Sequence, residues 1–172
     1  MMGSRRALLI AEIPHLRRYA RALLRDPDIA DDLVQNCLER ALSRFHLWQP
    51  ERRLRPWLFT IMHNLHVNAI RYRVSRPPQV ELDDAVMPAA NGASQEDSLQ
   101  TRAVLAAIDE LPEDQRAVVT LVGIEELSYK DAADVLGIPL GTLMSRLHRA
   151  RERLRETLGM TERRPAPIRR VK

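Results

Sequence analysis

Apolar positions recur every three or four residues along most of this chain, and each such stretch ends at a proline, a glycine or a polar cluster. In the first stretch Leu8, Leu9, Ile13, Leu16, Ala20, Leu23 and Leu24 share one stripe, the spacing of a helix with a single buried face. Pro14 falls inside it, at a first turn or a kink. Pro27 lies just beyond its end, and Asp28 offers an N-cap to a second helix. That helix carries Leu33, Val34, Cys37, Leu38, Ala41, Leu42 and Phe45 on one side. The segment from Trp48 to Leu54 reads as a loop. Pro56 suits a helix first turn, and Trp57, Leu58, Ile61, Leu65, Asn68, Ala69 and Tyr72 follow at helical spacing. The pattern predicts a three-helix unit over residues 8–75.

Residues 76–98 break the pattern. Pro77, Pro78, Pro88, Gly92 and Ser94, with the acids Glu81, Asp83, Asp84, Glu96 and Asp97, read as a flexible acidic linker; an ordered acidic helix is the alternative. Helical spacing then resumes, with Val104, Leu105 and Ile108 on one stripe that Leu111 and Pro112 end. Glu113 to Val122 makes a second short helix. Ser128 caps a third, Tyr129 to Leu136, which Gly137 ends, and a fourth runs from Leu140 to Leu158. The second unit spans 99–158, and a basic tail over 159–172 is expected to stay unfolded. The fold class predicted is all-α: two small helical domains joined by a flexible linker.

Composition narrows the chemistry. Hydrophobic residues make up 45% of the chain but aromatics only 4%, so the cores must be built from Leu, Ala, Ile and Val, a mixture that favours helix. The net charge is +4, and apart from Lys130 and Lys172 every one of the 27 basic residues is Arg. The planar guanidinium fork suits phosphates and guanine edges, which points to a polyanionic partner; a GC-rich genome is a second explanation for the missing Lys. The single Cys37 excludes an internal disulfide and a multi-cysteine zinc site. His63 and His66 lie at i, i+3 with no Cys or carboxylate at ligand spacing, so neither a metal site nor a cofactor is expected. No apolar run reaches the length of a membrane span and residues 1–14 lack a signal-peptide core, so a cytoplasmic protein without membrane insertion is expected. No Gly-rich phosphate loop or nucleophile elbow is present, so no catalytic residues are assigned and no enzyme is expected.

The strongest local signal lies between Leu127 and Arg151. A short helix turns Ala132, Ala133 and Leu136 inward, and Gly137-Ile138-Pro139 makes a sharp turn. A longer helix then buries Leu143, Leu147 and Ala150 and presents Thr142, Met144, Ser145, Arg146, His148 and Arg149 outward. That is a helix-turn-helix pattern, whose second helix fits a major groove. Arg151, Arg153 and Arg155 suit phosphates, although Glu152 and Glu156 among them also suit ion pairs within the helix.

Together these residues resemble the extracytoplasmic-function (ECF) sigma factors of the sigma-70 family. The runs Leu111-Pro-Glu-Asp-Gln-Arg116, Leu127-Ser-Tyr-x-Asp-Ala-Ala133 and Gly141-Thr-x-x-Ser-Arg-Leu-x-Arg-Ala-Arg151 are similar to region 4 of that family. Ala30-Asp-Asp-Leu-Val-Gln35 and Arg55-Pro-Trp-Leu-Phe-x-Ile-x-x-Asn-Leu65 are similar to its region 2. The resemblance covers residues 8–158 in order and implies a partnership with core RNA polymerase and promoter DNA. Region 2 would bind the β′ clamp helices through Asp31, Asp32, Gln35 and Asn36. It would also read and melt the −10 element through Phe45, Trp57, Asn64 and Asn68. Region 4 would bind the β-flap and read the −35 duplex through Thr142, Met144, Ser145, Arg146, His148 and Arg149. An anti-sigma factor is the further partner implied. Met144 stands where relatives often carry a basic residue, which leaves the −35 sequence open. The loop from Phe45 to Leu54 is slightly longer than in some relatives.

Several of these residues have a plainer role open to them. Asp31 also suits a helix N-terminus, Phe45 and Trp57 also suit a core, and Asn68 also suits a backbone partner. Two other functions compete. A stand-alone helix-turn-helix regulator leaves Ala30–Gln35 and Arg55–Leu65 without a purpose. A sigma mimic that sequesters an anti-sigma factor has no need of Arg149 and Asn64.

Overall fold

The computed structural model describes residues 2–49, 53–74 and 95–160, and every regular element among them is helical. Helix α1 (Met2–Leu23) runs unbroken through Pro14. Proline cannot donate to the carbonyl of Ile10, but both residues are exposed, so that carbonyl turns to water. Helix α2 (Pro27–Ser43) is capped by Asp26 rather than Asp28: its Oδ1 accepts from the backbone N–H of Asp28 at 2.8 Å and of Ile29 at 3.1 Å. Pro27 takes the first helical position, where its missing N–H costs nothing, and Asp28 becomes a first-turn acid favoured by the dipole. Because α2 ends at Ser43, Leu42 is exposed and Phe45 reaches the core from a short 3-10 turn, Phe45–Leu47.

Helix α3 (Leu54–Val74) buries Leu58, Phe59 and Met62 against Leu16, Tyr19, Ala20 and Cys37. Helix α4 (Gln95–Asp109) starts ahead of residue 99, and Val104 and Leu105 on its predicted stripe are exposed while Ile108 is buried. The rest of the segment assigned as linker, and residues 161–172 of the tail, lie outside the described residues.

Helix α5 (Glu113–Val119) does not continue to Val122 as an α-helix. It widens into a π turn, Thr120–Ile124, and the chain then passes through Glu126 at φ 54°. Helices α6 (Tyr129–Leu136) and α7 (Leu140–Thr157) follow closely on the predicted bounds. Val118, Leu121, Ala132, Leu143 and Ala150 form the centre of this second half. Each such leucine, fully buried, is worth about 1.5–3 kcal/mol.

The two halves are packed together. Helix α1 lies against α5 and the π turn, and α3 lies against α6. Buried apolar residues of both halves join in a single cluster.

Candidate nucleic-acid interface

The helix-turn-helix is built by local rules. Ser128 Oγ accepts from the N–H of Asp131 at 3.0 Å and donates to the Asp131 carboxylate at 2.8 Å, so the two residues cap α6 jointly. At its other end Gly137 adopts φ 63°, and the N–H of Ile138 returns to the carbonyl of Ala133 at 3.1 Å, closing a left-handed cap. Pro139 then opens α7, its carbonyl accepting from Thr142 and Leu143. Ala132 and Ala133 are small enough to let α7 approach through Leu143, Leu147 and Ala150, all buried.

That packing fixes which face of α7 is free. Met144, Ser145, His148 and Arg149 are exposed, and Thr142 is half-buried. Ser145 Oγ donates to the Thr142 carbonyl at 3.0 Å, and Arg149 Nη2 lies 3.5 Å from Ser145 Oγ. Among the described residues no carboxylate pairs with Arg149. Arg146 differs from its neighbours: its Nε sits 3.3 Å from Asp114 Oδ2, and it lines a cleft of about 340 Å³ with His63, Glu113 and Leu23. The structure therefore turns Arg146 toward the N-terminal half.

In that half, Asn64 and Asn68 are exposed one turn apart on α3. Phe45 is buried, with Trp48 and Trp57 meeting its ring edge-on at 5.2 and 6.2 Å between centroids and the Arg5 guanidinium 5.3 Å from its centroid. Trp57 is half-buried. The aromatic cluster, of which Trp57 alone lies on α3, is thus separate from the asparagine pair further along that helix. On α2, Asp32, Gln35 and Asn36 are exposed, whereas Asp31 is half-buried with Arg17 Nε 3.4 Å away.

The polar residues that join the halves escaped the sequence reading. Glu125 at the end of the π turn has a side chain with no solvent exposure. It accepts from Arg18 Nε at 2.7 Å and from His15 Nδ1 at 2.5 Å, with Arg55 Nη1 at 3.9 Å. Arg55 also donates to Glu12 at 2.7 Å and to His15 Nε2 at 2.8 Å. Arg18 Nη2 also lies 2.7 Å from His15 Nδ1, so no single tautomer of the imidazole satisfies Glu125, Arg18 and Arg55 together. Two guanidiniums balance two carboxylates.

Nearby, the buried His66 donates through Nε2 to Glu113 at 2.7 Å. Tyr19 Oη is hydrogen-bonded to Nδ1 of His63 at 3.2 Å; burial and the Glu113 charge push the tyrosine hydroxyl far up, so it keeps its proton. Burial, then His66, pull His63 below its ordinary value, as Arg146 does more weakly, while Glu113 opposes them. Arg55, Glu113 and Arg116 stood within the motif-like runs, but no spacing pointed to Glu125 as a partner of Arg55.

Comparison with known proteins agrees with this geometry. Residues 9–63 match the family model described as the Sigma2 domain of PhyR, and residues 101–154 match Sigma-70, region 4. The ECF RNA polymerase sigma factor EcfG of Rhodopseudomonas palustris is 39% identical over 150 residues, 85% of this chain and 80% of that protein. The sigma factor RpoE of Bartonella quintana, solved in complex with the anti-sigma factor NepR, superposes with a TM-score of 0.73 at 33% identity. The match covers 91% of this chain and 98% of that one. PhyR of the same organism, an anti-anti-sigma factor solved with NepR, shares the fold at a TM-score of 0.56 and 13% identity, over 92% of this chain and 51% of that one. A relative matched through both halves leaves the stand-alone regulator without support. The chain belongs to the ECF RNA polymerase sigma factors.

Proposed function

We propose that this sigma factor, a DNA-binding initiation factor, binds core polymerase and brings it to promoters by a division of labour between its halves. Helix α7 enters the major groove of the −35 element with Thr142, Met144, Ser145, His148 and Arg149, and Arg146 joins them when it leaves Asp114. In the N-terminal half, Asn64 and Asn68 hold −10 bases by their edges, and the separate cluster of Phe45 and Trp57 offers an aromatic wall to a flipped base. Asp31, Asp32, Gln35 and Asn36 meet the β′ clamp helices, and the C-terminal half meets the β-flap. An anti-sigma factor holds the protein inactive, as the NepR complex of the Bartonella relative suggests. The protein carries out no catalysis itself and works in the cytoplasm; no helix among the described residues is long and apolar enough to cross a membrane.

The observation that carries this reading is the free face of α7, where Arg149 stands exposed with no carboxylate beside it among the described residues. Run-off transcription with core polymerase on a promoter library is the direct test, paired with gel shifts of the free chain. Each half alone offers few base contacts, so the free chain should bind duplex weakly and with strong salt dependence. Sub-nanomolar sequence-specific binding without polymerase would contradict the proposal.

One observation favours a second reading. The family model matching residues 9–63 describes a domain of PhyR, and a PhyR of that name acts as an anti-anti-sigma factor. A decoy of that kind would bind an anti-sigma factor and leave polymerase alone. Promoter-dependent transcripts in the run-off assay would exclude it.

A further inference from the structure

We propose that Glu125 is a latch that holds the two halves closed in a form unable to engage both promoter elements, so that its release is a step toward the active polymerase complex. The proposal rests on the sigma-factor reading above and deepens it.

The first argument is where the partners of Glu125 come from. Its carboxylate is wholly buried, and His15, Arg18 and Arg55 all belong to α1 and α3 of the other half. Among the described residues no side chain of its own half bonds it. A carboxylate that braced the local turn would have partners there. This one stabilises nothing but the closed arrangement, and on opening it loses all three partners and regains water.

The second argument is reach. The −35 and −10 elements lie roughly 25 base pairs apart, about 85 Å at 3.4 Å per pair. The described residues pack around one cluster, and a compact body of that size is only about 40 Å across. With α3 packed on α6, the two readers cannot span that gap. Arg146, a −35 candidate, is also turned into the cleft between the halves, beside His63.

The third argument is the kind of contact. Glu125, Arg18, Arg55, Glu12 and His15 form a hydrogen-bonded ionic cluster. Buried ion pairs give back much of their attraction as desolvation, so exchanging them for water alters the balance modestly. A latch with that property can be released by a partner that binds the open form better.

The test uses the full chain with fluorophores on cysteines introduced at Ser43 and Glu156, exposed positions in the two halves. Energy transfer reads the distance between halves, and titration with core polymerase reads affinity. Glu125→Gln and Arg18→Ala remove the same contact from opposite sides. Arg18 is about half exposed (47%) and lies outside the C-terminal fold, so it serves if the buried substitution disturbs folding by circular dichroism.

Both variants should shift transfer toward longer distances. If the closed form outnumbers the open by about ten to one, both should bind core polymerase about tenfold more tightly, because only the open fraction is competent. Unchanged transfer in both variants overturns the latch. Longer distances without tighter polymerase binding overturn its inhibitory role. A wild-type chain that starts no transcripts on any promoter overturns the sigma-factor reading instead, whatever the distances show.

Discussion

Nε of Arg116, in α5, donates to the carbonyl oxygen of Ala22, in the last turn of α1. Its Nη1 donates at 3.1 Å to both Asp109 and Leu111, at the end of α4. One guanidinium therefore satisfies backbone carbonyls at two helix ends, which have no partner within their own helices. Burial first, then Arg25, pull its pKa down, while Asp109 and Glu113 oppose them. Arg116→Met leaves the carbonyls of Ala22 and Leu111 buried and unpaired, while that of Asp109 keeps Arg25 Nη2 at 3.3 Å, and should cost about 3 kcal/mol in urea unfolding. Arg116→Lys should recover little, because a single ammonium lacks the planar fork that reaches all three. A loss below about 1 kcal/mol for the methionine variant would mean that water replaces the guanidinium.

Cys37 should be nearly inert in the folded protein. Its thiol is buried, with Sγ 3.5 Å from the carbonyl of Leu58, and burial pushes its pKa up to about 12. The thiolate is the reactive form. Labelling by iodoacetamide at pH 8 should be slow in native protein and immediate in denaturant. Fast native labelling would show that α2 and α3 separate readily.

Much of the fold was legible because its signals are local. Ser128, Gly137 and the Ala132-Ala133 pair lie within a few residues of the turns and faces they fix, and the helix-turn-helix follows the predicted bounds. Local rules also had their limits. Asp28 looked like a cap, but Pro27 is so well suited to the first helical position that the start moved back and Asp26 took the role. Val104 and Leu105 have the spacing of a buried stripe, yet burial depends on what lies opposite, and both are exposed. Glu125 marks the deepest limit. Its partner His15 stands 110 residues away in sequence, and no periodicity along one helix encodes a pairing at that distance. The −35 candidates followed from the helix-turn-helix pattern and the −10 candidates from resemblance, and the structure adds to them the turned side chain of Arg146.

Stability should fall in mild acid through His63. Its folded-state pKa lies below the ordinary value of about 6.5, so the folded form binds fewer protons than the unfolded chain. The contribution is complete above about pH 6.5 and is lost as the pH drops from there through the lower folded value. Thermal melts between pH 7.5 and 5 should show this loss, and His63→Gln should flatten part of it. The groups around the imidazole are Tyr19, His66, Glu113 and Arg146, so His66→Gln is the companion variant that separates the two histidines. Identical pH profiles for wild type and His63→Gln would assign the acid sensitivity elsewhere.

Gly137 is required for its backbone alone. At φ 63° a β-carbon is strained, yet one built there meets nothing within 4 Å. Gly137→Ala should therefore cost about 1–2 kcal/mol, and Gly137→Asn less, since asparagine tolerates the left-handed region. Both variants should still bind core polymerase when folded. Equal stability of wild type and alanine variant would show that the turn relaxes to another conformation.

Arg149→Ala and Asn64→Ala should fail at different steps, one at duplex and one at single strand. Arg149 projects from the exposed face of α7, where losing a bidentate base contact costs about 1–3 kcal/mol. Asn64 is exposed on α3, where its amide is placed to hold an unstacked base by its Watson–Crick edge. Open-complex formation by the holoenzyme is measured on three templates: an intact promoter, one lacking the −35 element, and one with the −10 region already unpaired. Arg149→Ala should weaken binding on the intact promoter and cost little once the −35 element is gone. Asn64→Ala should lose discrimination at one −10 base even on the unpaired template, because opening the strands beforehand removes the melting cost and not the base contact. Glu125→Gln should strengthen complexes on all three, since it acts before either element is read. Equal defects for Arg149→Ala and Asn64→Ala on every template would indicate general misfolding, and the separate roles assigned to α7 and α3 would fall together.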